Sequence, residues 1–265
     1  SQLNCRLVLY VTSPFYRLTD MMRAFRAGVP FAQMRTLLLQ NLTPWCLFRR
    51  LVNASYVARV IVQSEKNRNE LEKRKIGIGK LELLRVGIDT EDQTAVPIGV
   101  VEAVAQWYPA GNERFTYLYM GAIRPIRGFQ LLQSAFVSVV KSNPGARLMV
   151  LARGADDALC SQLRKEFGDS GIGDSVCVLG GWLSRDEIRA HIDCAQAVVL
   201  PFVLVPSDVP VAALEALARG KPVVVSPVDG LPELAQGRGL IVDPTDELEF
   251  AKQLVAFSRN DQQWR

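Results

Sequence analysis

The sequence predicts an α/β protein built on a parallel, Rossmann-like sheet, and three observations carry the prediction. From about residue 115 onward, short apolar runs alternate with segments of helical spacing. The runs are apolar throughout rather than at every second position, the pattern of strands covered on both faces. The composition is globular: 265 residues, 49% hydrophobic and 22% charged, enough for one large α/β domain or two small ones.

The apolar runs lie at 115–120, 147–152, 176–179, 197–200, 222–226 and 240–242. Most give way to Gly, Arg or Pro, where a turn follows. Helices are expected between and after them, near 129–141, 156–168, 184–193, 210–219 and 246–258. Ligands of such sheets bind beyond the carboxyl ends of the strands. Upstream, strands near 5–11, 57–63 and 81–85, a long helix-rich connection at 16–52 and a charged helix at 65–75 look like part of a second sheet. The segment 87–111, with Pro97, Gly99 and Pro109, is the expected crossover. It divides a region at 1–98 from one at 99–265.

Composition removes several function classes. No uncharged apolar run approaches the roughly 18 residues of a membrane-spanning helix; the stretch 195–206 is short and broken by Pro201. The five cysteines, at 5, 46, 160, 177 and 194, form no C-x-x-C pair. Cys5, Cys177 and Cys194 lie in or beside apolar runs, and the set reads as reduced core residues in a reducing, cytoplasmic compartment. The single histidine, His191, leaves little room for a His-rich metal site or a Ser-His-Asp triad, and it sits on an amphipathic helix where a structural role is expected. Asp156 and Asp157 read as a helix start. The first residue is not Met, and an apolar run begins almost at once; a processing site or an internal boundary of a longer chain is expected there.

Charge is uneven. Residues 1–100 carry 15 Lys and Arg against 8 Asp and Glu, whereas the rest carry 16 against 19. Two regions with different partners are expected. The basic part interleaves Arg17, Arg23, Arg26, Arg35, Arg49 and Arg50 with Phe15, Phe25, Phe31, Trp45 and Phe48. Such a mixture suits adsorption to an anionic membrane surface; equally, the aromatics are core and the arginines solvated. Nucleic acid is not expected as a partner, since no binding motif is present.

Two constellations can carry chemistry. The first expected loop reads Gly121-Ala-Ile-Arg124-Pro-Ile-Arg127-Gly128 and then enters a helix. Gly121 and Gly128 let the backbone approach a ligand, and Arg124 and Arg127 near a helix N-terminus seat a phosphate. A solvated loop has the same pattern. The second runs from Pro206 through Ser207, Asp208, Val209, Pro210 and Val211 to Glu215, Gly220 and Pro222. Ser207 or Asp208 is the expected helix cap, with Pro210 in the first turn and Gly220 at the end. Glu215 among apolar neighbours suits a hydrogen bond to a sugar hydroxyl, or is an exposed helix glutamate.

The succession of the Gly121–Gly128 loop, Leu200-Pro201-Phe, Leu214-Glu215-Ala-Leu-Ala-Arg-Gly220-Lys-Pro222, Asp229-Gly-Leu-Pro-Glu233 and Gly239-Leu-Ile-Val-Asp-Pro244 resembles the donor-binding domain of family 4 glycosyltransferases of GT-B fold. Upstream, Val60-Ile-Val-Gln-Ser64-Glu and Leu84-Arg-Val-Gly87-Ile-Asp89 resemble the end of that family's acceptor-side domain. The resemblance implies transfer of a sugar from a nucleotide diphosphate donor, with retention and without a metal or cofactor; with the membrane reading of the basic segment, the expected acceptor is a glycan or a lipid-linked one. It gives Arg127, supported by Arg124, the donor diphosphate as the catalytic charge, and gives Glu215 the ribose. Gly121, Gly128, Ser207, Asp208 and the amides near Val209 and Val211 complete the donor site. Ser207 stands where the family has a second glutamate, with Asp208 adjacent, and Ala122 where it has an arginine. The resemblance also implies an incomplete acceptor-side domain before an intact donor domain. A nucleotide-sugar-binding subunit without catalysis and a nucleotide-sugar epimerase are the other readings. The expected place of work is the cytoplasm, peripheral at the inner face of the membrane.

Overall fold

The computed structural model describes residues 6–12, 15–16, 18–42, 44–89, 93–108, 114–205 and 207–260. The first part carries β1 (Leu7–Val11), α1 (Leu18–Arg26), α2 (Phe31–Leu42), α3 (Trp45–Asn53), β2 (Val57–Val62), α4 (Glu65–Lys73), β3 (Leu81–Leu83) and α5 (Ile98–Ala105). Its three strands form one parallel sheet in the order β1-β2-β3. Val60 and Val62 of β2 are fully buried and pack with Val52, Leu71 and Ile76. The expected helix near 65–75 starts at Ser64, whose side chain accepts from Asn67 N.

The second part is an alternation of β4 (Phe115–Gly121), α6 (Phe129–Ser142), β5 (Ala146–Arg153), α7 (Asp157–Asp169), β6 (Val176–Gly181), α8 (Arg185–Cys194), β7 (Ala197–Leu200), α9 (Val211–Ala218), β8 (Val223–Val225), α10 (Leu231–Ala235), β9 (Gly239–Ile241) and α11 (Glu247–Arg259). All neighbouring strands are parallel, in the order β6-β5-β4-β7-β8-β9. The fully apolar runs follow from this, because each central strand has a helical layer on either face. Tyr117 and Tyr119 of β4 point into a core with Phe129, Phe136 and Leu254. The intervening Leu118 and Met120 point into the opposite one, with Ile192, Ala213 and Leu231. Tyr117 keeps its hydroxyl satisfied by donating to the Leu254 carbonyl at 2.5 Å, the requirement for a buried phenol. Removing the Phe136 ring from this layer would cost about 3–5 kcal/mol.

Several local expectations change. The 87–111 crossover contains a helix, α5, which starts on Pro97 as N-cap and packs on α8. α10 was not expected, and Pro232 sits in its first turn. Ser207 and Asp208 do not cap α9: its N-cap is Pro210, with no side-chain cap. Of the cysteines, Cys160 is buried, Cys177 and Cys194 are half-buried, and Cys46 is exposed, so the last is no core residue; Cys5 lies outside the described residues. Asp156 does start α7, accepting from Leu159 N at 2.8 Å.

The two parts meet through an apolar cluster of Ala24, Val29 and Met34 with Val203 and Leu204 and through polar contacts at α4 and α1. Glu233 of α10 accepts from Glu65 N at 3.1 Å and from Lys66 N at 2.9 Å. Lys66 Nζ lies 2.7 Å from Asp229, and Arg23 of α1 pairs with Asp243 at 2.7 Å. Carboxylates at the first turn of a helix are favoured by its unsatisfied amides and dipole, and here they come from the other sheet.

Candidate active site

β4 is where strand order reverses, with β5 on one side and β7 on the other. Loops leaving such neighbours diverge, and the crevice between them is where ligands of open parallel sheets bind. That crevice is a cleft of about 890 Å³, within the usual range of ligand sites. One wall is the loop 121–127. The others are Arg153 and Gly154 at the end of β5, Trp182 and Leu183 after β6, and the segment from Ser207 into α9 with Glu215.

The loop geometry follows from its glycines. Gly121 has φ 150°, and a Cβ there would stand 3.3 Å from Arg127 Nη1, so its absence leaves room for the guanidinium. Arg127 is half-buried and lies over the Phe202 ring, 5.3 Å from its centroid. Burial lowers the Arg127 pKa, Arg124 and Arg153 add to this, and Tyr119 opposes it; a guanidinium nonetheless keeps its charge. Among the described residues, Arg124, Arg127 and Arg153 have no carboxylate partner. Three cations without a carboxylate partner among the described residues thus meet the start of α9, which has no side-chain cap; of its first-turn amides Ala213 N donates to the Pro210 carbonyl at 3.1 Å, and a helix start of this kind favours an anion. The arrangement is built for an anion with more than one charge.

Residues 114–260 match the family described as glycosyl transferases group 1, more than half of the chain. The chain belongs to the glycosyl transferases group 1. No curated protein matches it. Sucrose-phosphate synthase from Thermosynechococcus elongatus is similar in structure, with TM-score 0.64 and 21% identity over 83% of this chain and 53% of that one. HepE of Anabaena, in complex with UDP, gives 0.70 and 16% over 97% and 64%. WaaG, a glycosyltransferase involved in lipopolysaccharide biosynthesis, gives 0.67 and 14% over 98% and 68%. The group 1 chain therefore spans between half and about two thirds of these structures. Its fold is the GT-B arrangement of Rossmann-like α/β units.

Within this group 1 chain, Gly121, Arg124, Arg127, Ser207, Val209, Val211 and Glu215 all line the one cleft. Glu215 is half-buried there, not an exposed helix glutamate. Two expected donor residues stand elsewhere. Gly128 is buried, with φ 68°, and a Cβ on it would lie 1.8 Å from the Pro201 carbonyl oxygen, so it joins the β4 loop to the β7 loop instead of lining the cleft. Asp208 is fully buried and accepts from Ser64 Oγ at 2.9 Å, away from the cleft.

Arg153 and Trp182 were missed by sequence reasoning. The Arg153 guanidinium lies over the Trp182 indole at 5.0 Å from its centroid, and Trp182 is 76% exposed at the cleft rim. Their signal in the sequence is position alone, since each stands at the carboxyl end of a strand. His191 is structural: it is buried, with Tyr108 Oη 2.9 Å from its Nδ1. Among the described residues no cluster of three or more His, Cys, Asp or Glu could hold a metal ion, and no helix is long and apolar enough to cross a membrane.

The basic segment divides in two. Phe15, Trp45 and Phe48 form one aromatic cluster with centroids 5.3–6.1 Å apart, packed against the first sheet, so these aromatics are core. Phe25 and Phe31 are 75% and 69% exposed, beside exposed Arg26 and Arg35. Arg23 is held by Asp243, and Arg17 lies outside the described residues.

Proposed function

We propose that this chain carries the donor site of a retaining, metal-independent family 4 glycosyltransferase. It takes a sugar from a nucleotide diphosphate sugar and delivers it to a glycan or lipid-linked acceptor. The observation that carries the reading is the cluster of Arg124, Arg127 and Arg153, without carboxylate partners among the described residues, facing a helix start with no side-chain cap across a cleft at the sheet's switch point. Arginines and helix amides stabilise the charge that develops on a departing diphosphate, the task a divalent cation performs elsewhere. Glu215 accepts hydroxyls of the donor. The binding of UDP by HepE and of UDP-glucose in a further HepE structure supports the substrate class.

Place of work is part of the same proposal. The exposed Phe25 and Phe31 with the exposed Arg26 and Arg35 suit an anionic leaflet, so the chain acts in the cytoplasm at the inner membrane face.

Calorimetry with UDP and GDP, with and without EDTA, tests the site. Binding that survives EDTA and falls by about 1.5–3 kcal/mol in Arg127→Ala is expected, the range for hydrogen bonds to charged groups. Unchanged affinity in that variant, or a strict need for magnesium, overturns it. The anomeric configuration of the product by NMR tests retention.

A further inference from the structure

Asp208 is stitched to three separate segments. Its N donates to the Thr12 carbonyl at 2.9 Å, its carbonyl accepts from Gly230 N at 3.3 Å, and its Oδ1 accepts from Ser64 Oγ at 2.9 Å. Thr12 follows β1, Ser64 follows β2 and Gly230 opens α10, so Asp208 ties the two sheets together where their strand ends meet. Gly230 is packed so closely that a Cβ on it would lie 2.8 Å from the Asp208 carbonyl oxygen and 3.2 Å from Ser64 Cβ. Both Ser64 and Asp208 are buried, and Ser64 Oγ also accepts from Asn67 N at 3.1 Å, which fixes its hydroxyl to donate outward. One residue before Asp208 stands Ser207, and one and three after it stand Val209 and Val211, all on the cleft wall.

We propose that Asp208 is a positioning residue that touches no donor atom: by accepting from Ser64 it locks segment 207–211, and with it the start of α9, into the geometry that receives the donor phosphates. The inference rests on the nucleotide-sugar reading of the cleft. A buried carboxylate with a single side-chain partner is otherwise hard to account for, since its Oδ2 is enclosed without a hydrogen bond and such a group is expensive unless it does something. The charged groups that face it are Lys66 of α4 and Asp229 and Glu233 around α10; the neutral Tyr16 hydroxyl stands ahead of α1. Burial pushes the carboxyl up to about 6; the Ser64 bond and Lys66 oppose this, while Asp229 and Glu233 add to it.

The test uses Ser64→Ala, Asp208→Ala, the double variant and Asp208→Asn. Amide exchange over 207–213 is read in the ligand-free protein, and UDP and GDP affinities are read by calorimetry. Each alanine variant should speed exchange by about tenfold and weaken nucleotide binding by a similar factor, and the double should be no worse than the worse single. Asp208→Asn keeps an acceptor oxygen for Ser64 and should stay close to the parent protein in both readouts. Unchanged exchange in Asp208→Ala, additive effects in the double, or Asp208→Asn as fast as Asp208→Ala overturns the proposal. Exchange over 65–73 reports any loss of the α4 cap in Ser64→Ala; if that helix loosens, the alanine and asparagine variants at 208 decide alone. If the parent protein binds neither nucleotide, the reading of the cleft fails, while the exchange pattern still decides whether the lock exists.

Discussion

Gly128 and Pro201 touch backbone to backbone: a Cβ on Gly128 would stand 1.8 Å from the Pro201 carbonyl oxygen. The loop leaving β4 and the loop leaving β7 are two of the walls of the crevice, and this contact sets their separation. Gly128 also takes φ 68°, in the left-handed region that penalises a side chain. Gly128→Ala should destabilise the fold by at least about 3 kcal/mol, read by denaturant unfolding. A melting curve within a degree of the parent's would show that the loops separate freely.

Glu215→Gln preserves shape but removes a charged acceptor inside the cleft. Nucleotide affinity should fall by about 1.5–3 kcal/mol while thermal unfolding stays near the parent's. Loss of stability with binding intact would make Glu215 a structural residue.

Trp182 carries Arg153 against its ring and is otherwise exposed on the rim, the place for a nucleobase to stack. Trp182→Ala should weaken nucleotide binding by about 1–3 kcal/mol, the scale of a base on an aromatic ring. Inorganic pyrophosphate, which has no base, should bind parent and variant alike. Equal weakening for both ligands would place the role elsewhere.

His191 and Asp208 contribute to the pH dependence of stability in opposite senses. Burial holds the His191 imidazole down to about 4 from 6.5. The unfolded chain then takes up the proton first, so stability complete above pH 6.5 is lost as pH falls toward 4, by up to about 3 kcal/mol. The Asp208 carboxyl lies high, at about 6, so the native state gains stability as pH falls through the same window. His191→Gln should therefore melt progressively higher than the parent protein, in relative terms, between pH 7 and 4.5, and adding Asp208→Asn should flatten that trend. Parallel melting curves for all three proteins would contradict both assignments.

Vesicle sedimentation checks the membrane face. Binding should rise with phosphatidylglycerol, fall with salt, and drop when Phe25, Arg26 and Arg35 are changed to Gln, each charge contributing about 1 kcal/mol. Substituting Arg23 is uninformative, because its guanidinium is committed to Asp243. Equal partitioning onto neutral and anionic vesicles would leave the exposed phenylalanines unexplained.

What was legible in the sequence follows from the kind of interaction involved. The strands of the second sheet were readable because burial on both faces leaves a continuous apolar signature, as at Phe115–Gly121. The Arg124–Arg127 loop and Glu215 were readable because their spacing is local to one turn and one helix. α5 was hidden because Pro97 and Gly99 are loop signals, although Pro97 here opens the helix as its N-cap. The burial of Asp208 on Ser64, and of Trp45 against Arg74 at 4.2 Å, joins residues far apart in the chain. No periodicity records such contacts. The aromatics of the basic segment looked alike in sequence; packing alone separates Trp45 and Phe48 from Phe25 and Phe31.

Among the described residues the arginines of the cleft have no carboxylate partner, which leaves the ligand-free site electrostatically unfinished. Like charges held close in a partly desolvated site repel one another, and a bound anion relieves that repulsion. An anion that fits therefore supplies part of the stabilisation the fold itself lacks, and melting temperature becomes a readout of ligand identity. At a hundred times its dissociation constant a ligand adds about 2.7 kcal/mol to stability. A thermal-shift panel of nucleotide sugars would then rank base and sugar together, with no acceptor in the tube and no turnover to detect.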